Sequence, residues 1–105
     1  MADHEILTDC QGRAVRLTEE RWAHILDHPE MIGQRERLIE TLAQPDLVIA
    51  TVKDETVHVY HRLYETTPVT RKFLVVAVKM EVDDAFVLTA YFTSRLKKGK
   101  IVWRS

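Results

Sequence analysis

The stretch from Val87 to Ser94, read V-L-T-A-Y-F-T-S, constrains the fold most. It alternates small or apolar side chains (Leu88, Ala90, Phe92) with a polar row (Thr89, Tyr91, Thr93). A period of two belongs to a strand with one buried and one accessible face, so two hydroxyls and a phenol stand in line on one side. The stretch Thr56 to Tyr64 repeats the pattern, with Val57, Val59 and Leu63 alternating against His58, Tyr60, Arg62 and Tyr64. Between the two, Lys72 to Val82 is continuously apolar from Phe73 to Val78, as a central strand covered on both faces should be. If the apolar rows of the flanking strands face the core, Tyr60 and Arg62 share the free face with Thr89, Tyr91 and Thr93.

Upstream, Glu5 to Thr8 and Arg13 to Leu17 read as short extended pieces. The turn residues Asp9-Cys10-Gln11-Gly12 separate them. Thr18 followed by Glu19, Glu20 and Arg21 has a capping hydroxyl and first-turn acids, which predicts a helix start. In that helix Trp22, Ile25 and Leu26 share one side, while His24 and His28 lie four apart on another. Pro29 disfavours a helical His28, so the helix ends there at a sharp corner. A second helix over Gly33 to Ala43 presents Leu38, Ile39 and Leu42 and stops at Gln44-Pro45-Asp46. Strands at Leu47 to Val52, Val57 to Tyr64, Lys72 to Val82, Phe86 to Ser94 and Lys100 to Trp103 follow, with connections short enough for an antiparallel meander. The expected architecture is α+β: two N-terminal helices packed on one face of a four- or five-stranded, mainly antiparallel sheet. Trp22, Ile25, Leu26, Leu38, Ile39, Leu42, Val76, Leu88 and Phe92 are its expected core.

At 105 residues the chain suits one domain spanning residues 1–105. With 46% hydrophobic residues and no apolar run long enough to span a bilayer, it reads as a globular protein. Its first residues lack the basic and apolar regions of a secretion signal, so a cytoplasmic location is expected and no membrane partner. The single cysteine, Cys10, rules out an internal disulfide and any paired-cysteine zinc or redox motif. A zinc site built from His24, His28 and His58 would need separate elements to converge, so no cofactor is expected. Net charge is -1, but residues 1–50 hold five basic and ten acidic side chains, against ten and six in residues 51–105. The stretch from Phe92 to Ser105 carries Arg95, Lys97, Lys98, Lys100 and Arg104 with no acid, a basic patch suited to a polyanion. The expected groove is floored by Arg, Tyr and Thr and bordered by this patch, a set that can hold a phosphate.

Several of these segments are similar to small bacterial and phage domains of the barnase, EndoU, colicin and RelE-like (BECR) nuclease fold, the PBECR domains. The resemblance rests on H-I-L-D-H-P-E-M at 24–31, P-D-L-V at 45–48, V-Y-H-R at 59–62, K-F-L-V-V-A-V-K at 72–79 and A-F-V-L-T-A-Y-F-T at 85–93, with K-K-G-K-I-V-W after them. It covers nearly all the chain from Arg16 onward. It implies a RelE/barnase-like fold and a metal-independent ribonuclease of toxin–antitoxin or phage conflict systems, with RNA as substrate and a small antitoxin protein as a partner. In such chemistry a base activates the 2′-OH, an acid protonates the leaving 5′-oxygen, and fixed donors hold the extra charge. His28 or His24 can move the proton and Arg62 can clamp the phosphate. Thr89, Tyr91 and Thr93 can donate hydrogen bonds, Tyr60 can also stack on a base, and Arg95 and Lys98 are further phosphate contacts. His61 has the opposite parity to Arg62 and falls outside the set. The alternative is a non-catalytic RNA-, phosphate- or protein-binding module on an inactivated nuclease fold.

Overall fold

Seven strands form one sheet in the computed structural model, which describes residues 4–105. The elements are β1 (His4–Thr8), β2 (Ala14–Thr18), α1 (Glu19–Ile25), a 3-10 turn (Pro29–Met31), α2 (Arg35–Ala43), β3 (Leu47–Thr51), β4 (Val57–Tyr64), β5 (Lys72–Glu81), β6 (Asp84–Thr93) and β7 (Gly99–Arg104). The strand order is β1-β2-β6-β5-β4-β3-β7. This corrects the expected architecture of two N-terminal helices on a four- or five-stranded sheet. The short pieces before α1 are full members of the sheet, the helices follow them, and the sheet is mixed because β2 runs parallel to β6 at Arg16↔Phe86. No helix among the described residues is long and apolar enough to cross a membrane.

Local chemistry explains the first hairpin. Asp9 Oδ1 accepts from the backbone N–H groups of Gln11 (2.9 Å) and Arg13 (2.8 Å), and Gly12 supplies the positive φ of 80°. The paired guanidinium of Arg16 grips Asp84 at 3.0 and 2.6 Å and so fastens the hairpin to β6. Thr18 then caps α1, its hydroxyl accepting from Arg21 N–H at 3.1 Å. Because β2 turns into this helix, the second half of β6 has no strand beside it, and α1 and the 3-10 turn pack along it instead.

Residues paired across an antiparallel ladder share a face, so the register assigns the two sides. Leu74, Val76 and Val78 of β5, Ala85, Val87 and Ala90 of β6 and Tyr60 of β4 bury against Ile25, Met31, Leu38 and Leu42. Phe92, Trp22 and Ile39 are only partly buried against this core. Val87 takes the place expected for Leu88, because Val78 pairs with Val87 and Ala77 with Thr89, leaving Leu88 as an inserted residue. Such a bulge flips the alternation of every residue on one side of it. The second face carries Ile49, Val59, His61, Val75, Thr89, Tyr91 and Thr93.

Four antiparallel pairings in succession make β6 and β7 parallel, yet only residues 94–98 connect them. A parallel return ordinarily takes a dozen residues or more. Here the connection runs as an extended strap across the second face from one end of the sheet to the other. Four strand spacings of about 4.8 Å nearly exhaust its reach of about 3.5 Å per residue, so the sheet must curl toward that face. The strap lands on Gly99, where an added Cβ would sit 2.0 Å from the Ala50 carbonyl oxygen and where φ is 155°. Gly99→Ala should therefore lower stability by about 3 kcal/mol, the upper range for a single substitution, read as a lower denaturation midpoint at unchanged m-value.

Candidate active site

The corner between α1 and the 3-10 turn brings a histidine to the hydroxyl row. Pro29 holds His28 extended (φ -87°, ψ 104°), outside both helical segments. Its imidazole lies beside the second half of β6, with the ring centroid 6.0 Å from that of Tyr91 and the planes tilted by 41°. Glu30, one residue past the proline, places Oε1 3.9 Å from His28 Nδ1. That separation is longer than a hydrogen bond, so the carboxylate puts negative charge near the imidazole without fixing which nitrogen carries the proton. The His28 side chain is 47% exposed, so a substrate can reach it. Thr89, Tyr91 and Thr93 stand on the second face and are half-buried.

The other expected members divide. His24 points to the outer side of α1, its Nδ1 3.9 Å from Asp27 Oδ2, and joins a shallow hollow with Glu20, Ala23 and Asp27. Arg95 and Lys98 are exposed on the strap, where the Arg95 N–H donates to Thr93 Oγ1 at 3.2 Å and the Lys98 carbonyl accepts from Val52 N–H at 3.4 Å. Tyr60 and Arg62 do not share the face of the row, because β4 has the parity opposite to the expected one. Tyr60 pairs with Val76 and is 1% exposed, its hydroxyl donating to Asp9 Oδ2 at 2.6 Å. Burial and the adjacent carboxylate push that phenol far above its usual range. Arg62 turns toward α2: Nη1 donates to the Gln44 carbonyl at 2.5 Å, and the guanidinium lies 5.6 Å from the Tyr64 ring centre. Its Nε sits 3.4 Å from Glu40 Oε1 but is not aligned for a hydrogen bond. Tyr64 donates to the same Glu40 oxygen at 2.5 Å, and burial with that contact moves its phenol up to about 12. Arg62 is thus a strut between sheet and helix in this structure.

The same inversion brings in a residue the alternation excluded. His61 is fully buried on the second face, edge-on to Phe73 with ring centroids 6.2 Å apart. Its Nδ1 is 3.0 Å from the Val59 carbonyl, and its Nε2 accepts from Lys97 N–H at 3.0 Å. A carbonyl can only accept and an amide N–H can only donate, so the ring is the neutral Nδ1–H tautomer. Burial lowers its pKa below the ordinary 6.5, with the Val59 carbonyl as the opposing influence. His61 pins the strap, and nothing in the spacing of V-Y-H-R separates it from Tyr60. Beside the strap a hollow of about 400 Å³ is lined by Thr51, Val52, Lys53, Leu96, Lys97 and Lys98. Among the described residues no three His, Cys, Asp or Glu side chains are grouped to hold a metal ion. The chain matches no family model, no curated protein and no solved structure.

Two outcomes follow. Above pH 6.5 His61 is neutral in folded and unfolded chains alike. Below it the unfolded chain takes up a proton that the folded chain refuses, so stability falls with pH down to the lowered folded value. His58, also lowered by burial and then by Arg13, acts in the same direction. The difference in pH slope between the parent and His61→Phe, from denaturation between pH 8 and 5, isolates the His61 share; identical slopes would overturn the reading of His61 as a buried neutral ring that holds the strap. Arg62→Ala should cost about 1–3 kcal/mol of stability by releasing the Gln44 carbonyl and Glu40, checked in the same titration.

Proposed function

We propose that the chain is an endoribonuclease that cleaves RNA by attack of a 2′-OH on the adjacent phosphate. The observation that carries the reading is the placement of His28, with the Glu30 carboxylate 3.9 Å from its Nδ1, beside Tyr91 of the hydroxyl row. These are an exposed proton-transfer group and a line of hydroxyl donors, contributed by elements about sixty residues apart in the sequence. His28 takes the proton from the 2′-OH and returns it to the leaving 5′-oxygen, acting first as base and then as acid. The 2′-oxygen bonds to phosphorus, the P–O5′ bond breaks, and a 2′,3′-cyclic phosphate is left. Tyr91, Thr89 and Thr93 donate to the non-bridging oxygens as charge accumulates, and Arg95 and Lys98 on the strap hold neighbouring phosphates. The resemblance to PBECR domains supports the same chemistry, and from it come the further proposals of a cytoplasmic toxin or phage conflict setting and of a small antitoxin as partner. His24 serves as an outer-face residue here, and neither Arg62 nor Tyr60 takes part.

A second reading is a binding module on an inactivated nuclease domain. The engagement of Arg62 by Gln44 and Glu40 favours it, because the site is left without an arginine clamp on the reacting phosphate. Incubation of the purified protein with a defined RNA in the presence of a chelator separates the two. The nuclease reading expects cleavage to cyclic-phosphate ends that survives chelation and stops when the scissile 2′-OH is replaced by hydrogen. His28→Ala should reduce the rate by about 10²- to 10⁴-fold with the melting temperature nearly unchanged. A folded His28→Ala protein that cuts as fast as the parent would overturn the assignment, and RNA binding without cleavage would favour the module.

A further inference from the structure

We infer that the substrate is a single-stranded RNA several nucleotides long, laid along the strap, with the hollow beside it receiving a nucleotide remote from the scissile phosphate. The inference rests on the ribonuclease reading and extends its site across the sheet. Val52 is 76% exposed and Leu96 46% exposed, so the hollow keeps two large apolar side chains open to solvent. Around them stand Lys53, Lys97 and Lys98, and Lys100 lines an adjoining hollow of about 450 Å³ with Glu55 as its one acid. None of these four lysines has an ion-pair partner among the described residues, whereas Arg13, Arg16, Arg35, Arg62, Arg71 and Lys79 each lie against a carboxylate. Unpaired cations around an apolar floor suit the two halves of an unstacked nucleotide, its phosphate and its base.

Continuity with the active site selects RNA over another anionic partner. The chain leaves the hydroxyl row at Thr93 and runs through Arg95, Lys97 and Lys98 directly to the hollow, with no acid along it. The hollow lies at the β3 and β7 side and His28 at the β6 edge, three or more strand spacings of about 4.8 Å apart. At about 3.4 Å per nucleotide for a stacked strand, one RNA must extend several nucleotides to touch both. His61 positions this track by holding the Lys97 amide, so the cations keep a fixed path over the sheet.

The test is fluorescence anisotropy of a labelled RNA of about ten nucleotides, as single strand and as duplex, titrated at several salt concentrations with the parent, Lys53→Ala/Lys97→Ala and Val52→Asp proteins. These side chains are on the surface, and melting curves confirm that each variant is folded. The double variant should flatten the slope of log Kd against log salt by about 1.4, or about 0.7 for each lost phosphate contact. Val52→Asp should weaken binding, and the single strand should bind tighter than the duplex. In cleavage the parent should show a higher kcat/KM on the longer strand than on a dinucleotide, an advantage the double variant loses. Unchanged salt slopes, or a duplex preferred to the strand, would overturn the inference while leaving dinucleotide cleavage to score the ribonuclease reading separately. Failure of the parent to cut either RNA would overturn that reading, with the binding curves still deciding the track.

Discussion

A five-residue parallel return is the constraint on which this structure turns. Since β6 and β7 point the same way at opposite sides of β5, β4 and β3, residues 94–98 cannot go round the sheet and must go over it. Passing over closes part of the second face: Ile49, Val59, Val75 and His61 are buried there although no helix covers them. The taut path also demands a glycine where it lands and a hydrogen-bond acceptor beneath it, which Gly99 and His61 provide. A loose loop of the same composition would leave the lysines free to wander and His61 wet.

The two faces of the sheet consequently do different work. On the helix side polar groups serve as internal ties. Asp9 closes the first hairpin through its own turn and receives the Tyr60 hydroxyl from the middle of the sheet, while Glu40 and the Gln44 carbonyl hold Arg62 and Tyr64. Among the described residues each buried side-chain donor there has a partner apart from the Arg62 Nε, which faces Glu40 at poor alignment. On the strap side the polar groups other than the buried His61 face outward: the Thr89, Tyr91, Thr93 row, the His28 corner and four lysines without carboxylate partners among the described residues. A surface whose charges are not consumed internally is available to a ligand, and this contrast ties the candidate acid–base group to the cationic track.

Much of the local structure is legible in the sequence. The Thr18 cap, the turn at Asp9 to Gly12, the break forced by Pro29 and most strand limits follow from side chains that act within a few residues of themselves. The row Thr89, Tyr91, Thr93 likewise declares itself, because alternation states that two faces exist.

Alternation does not state which face is buried, and there only the tertiary structure decides. Tyr60 and Arg62 looked like the accessible row of β4, yet a phenol and a guanidinium bury readily once Asp9, 51 residues away, and the Gln44 carbonyl supply acceptors for them. His61 fell outside the expected set by its parity, and is buried on the second face, where the strap brings it the Lys97 amide. The inserted Leu88 moves the core from Leu88 to Val87, a shift no periodicity reveals since it depends on the partner strand. The place of β1 and β2 in the sheet was equally hidden, for it rests on one parallel pairing and the Arg16–Asp84 contact across 68 residues. Sequence settles what a residue can do with its neighbours along the chain. Which of its capacities is used depends on partners that only folding brings within hydrogen-bonding distance.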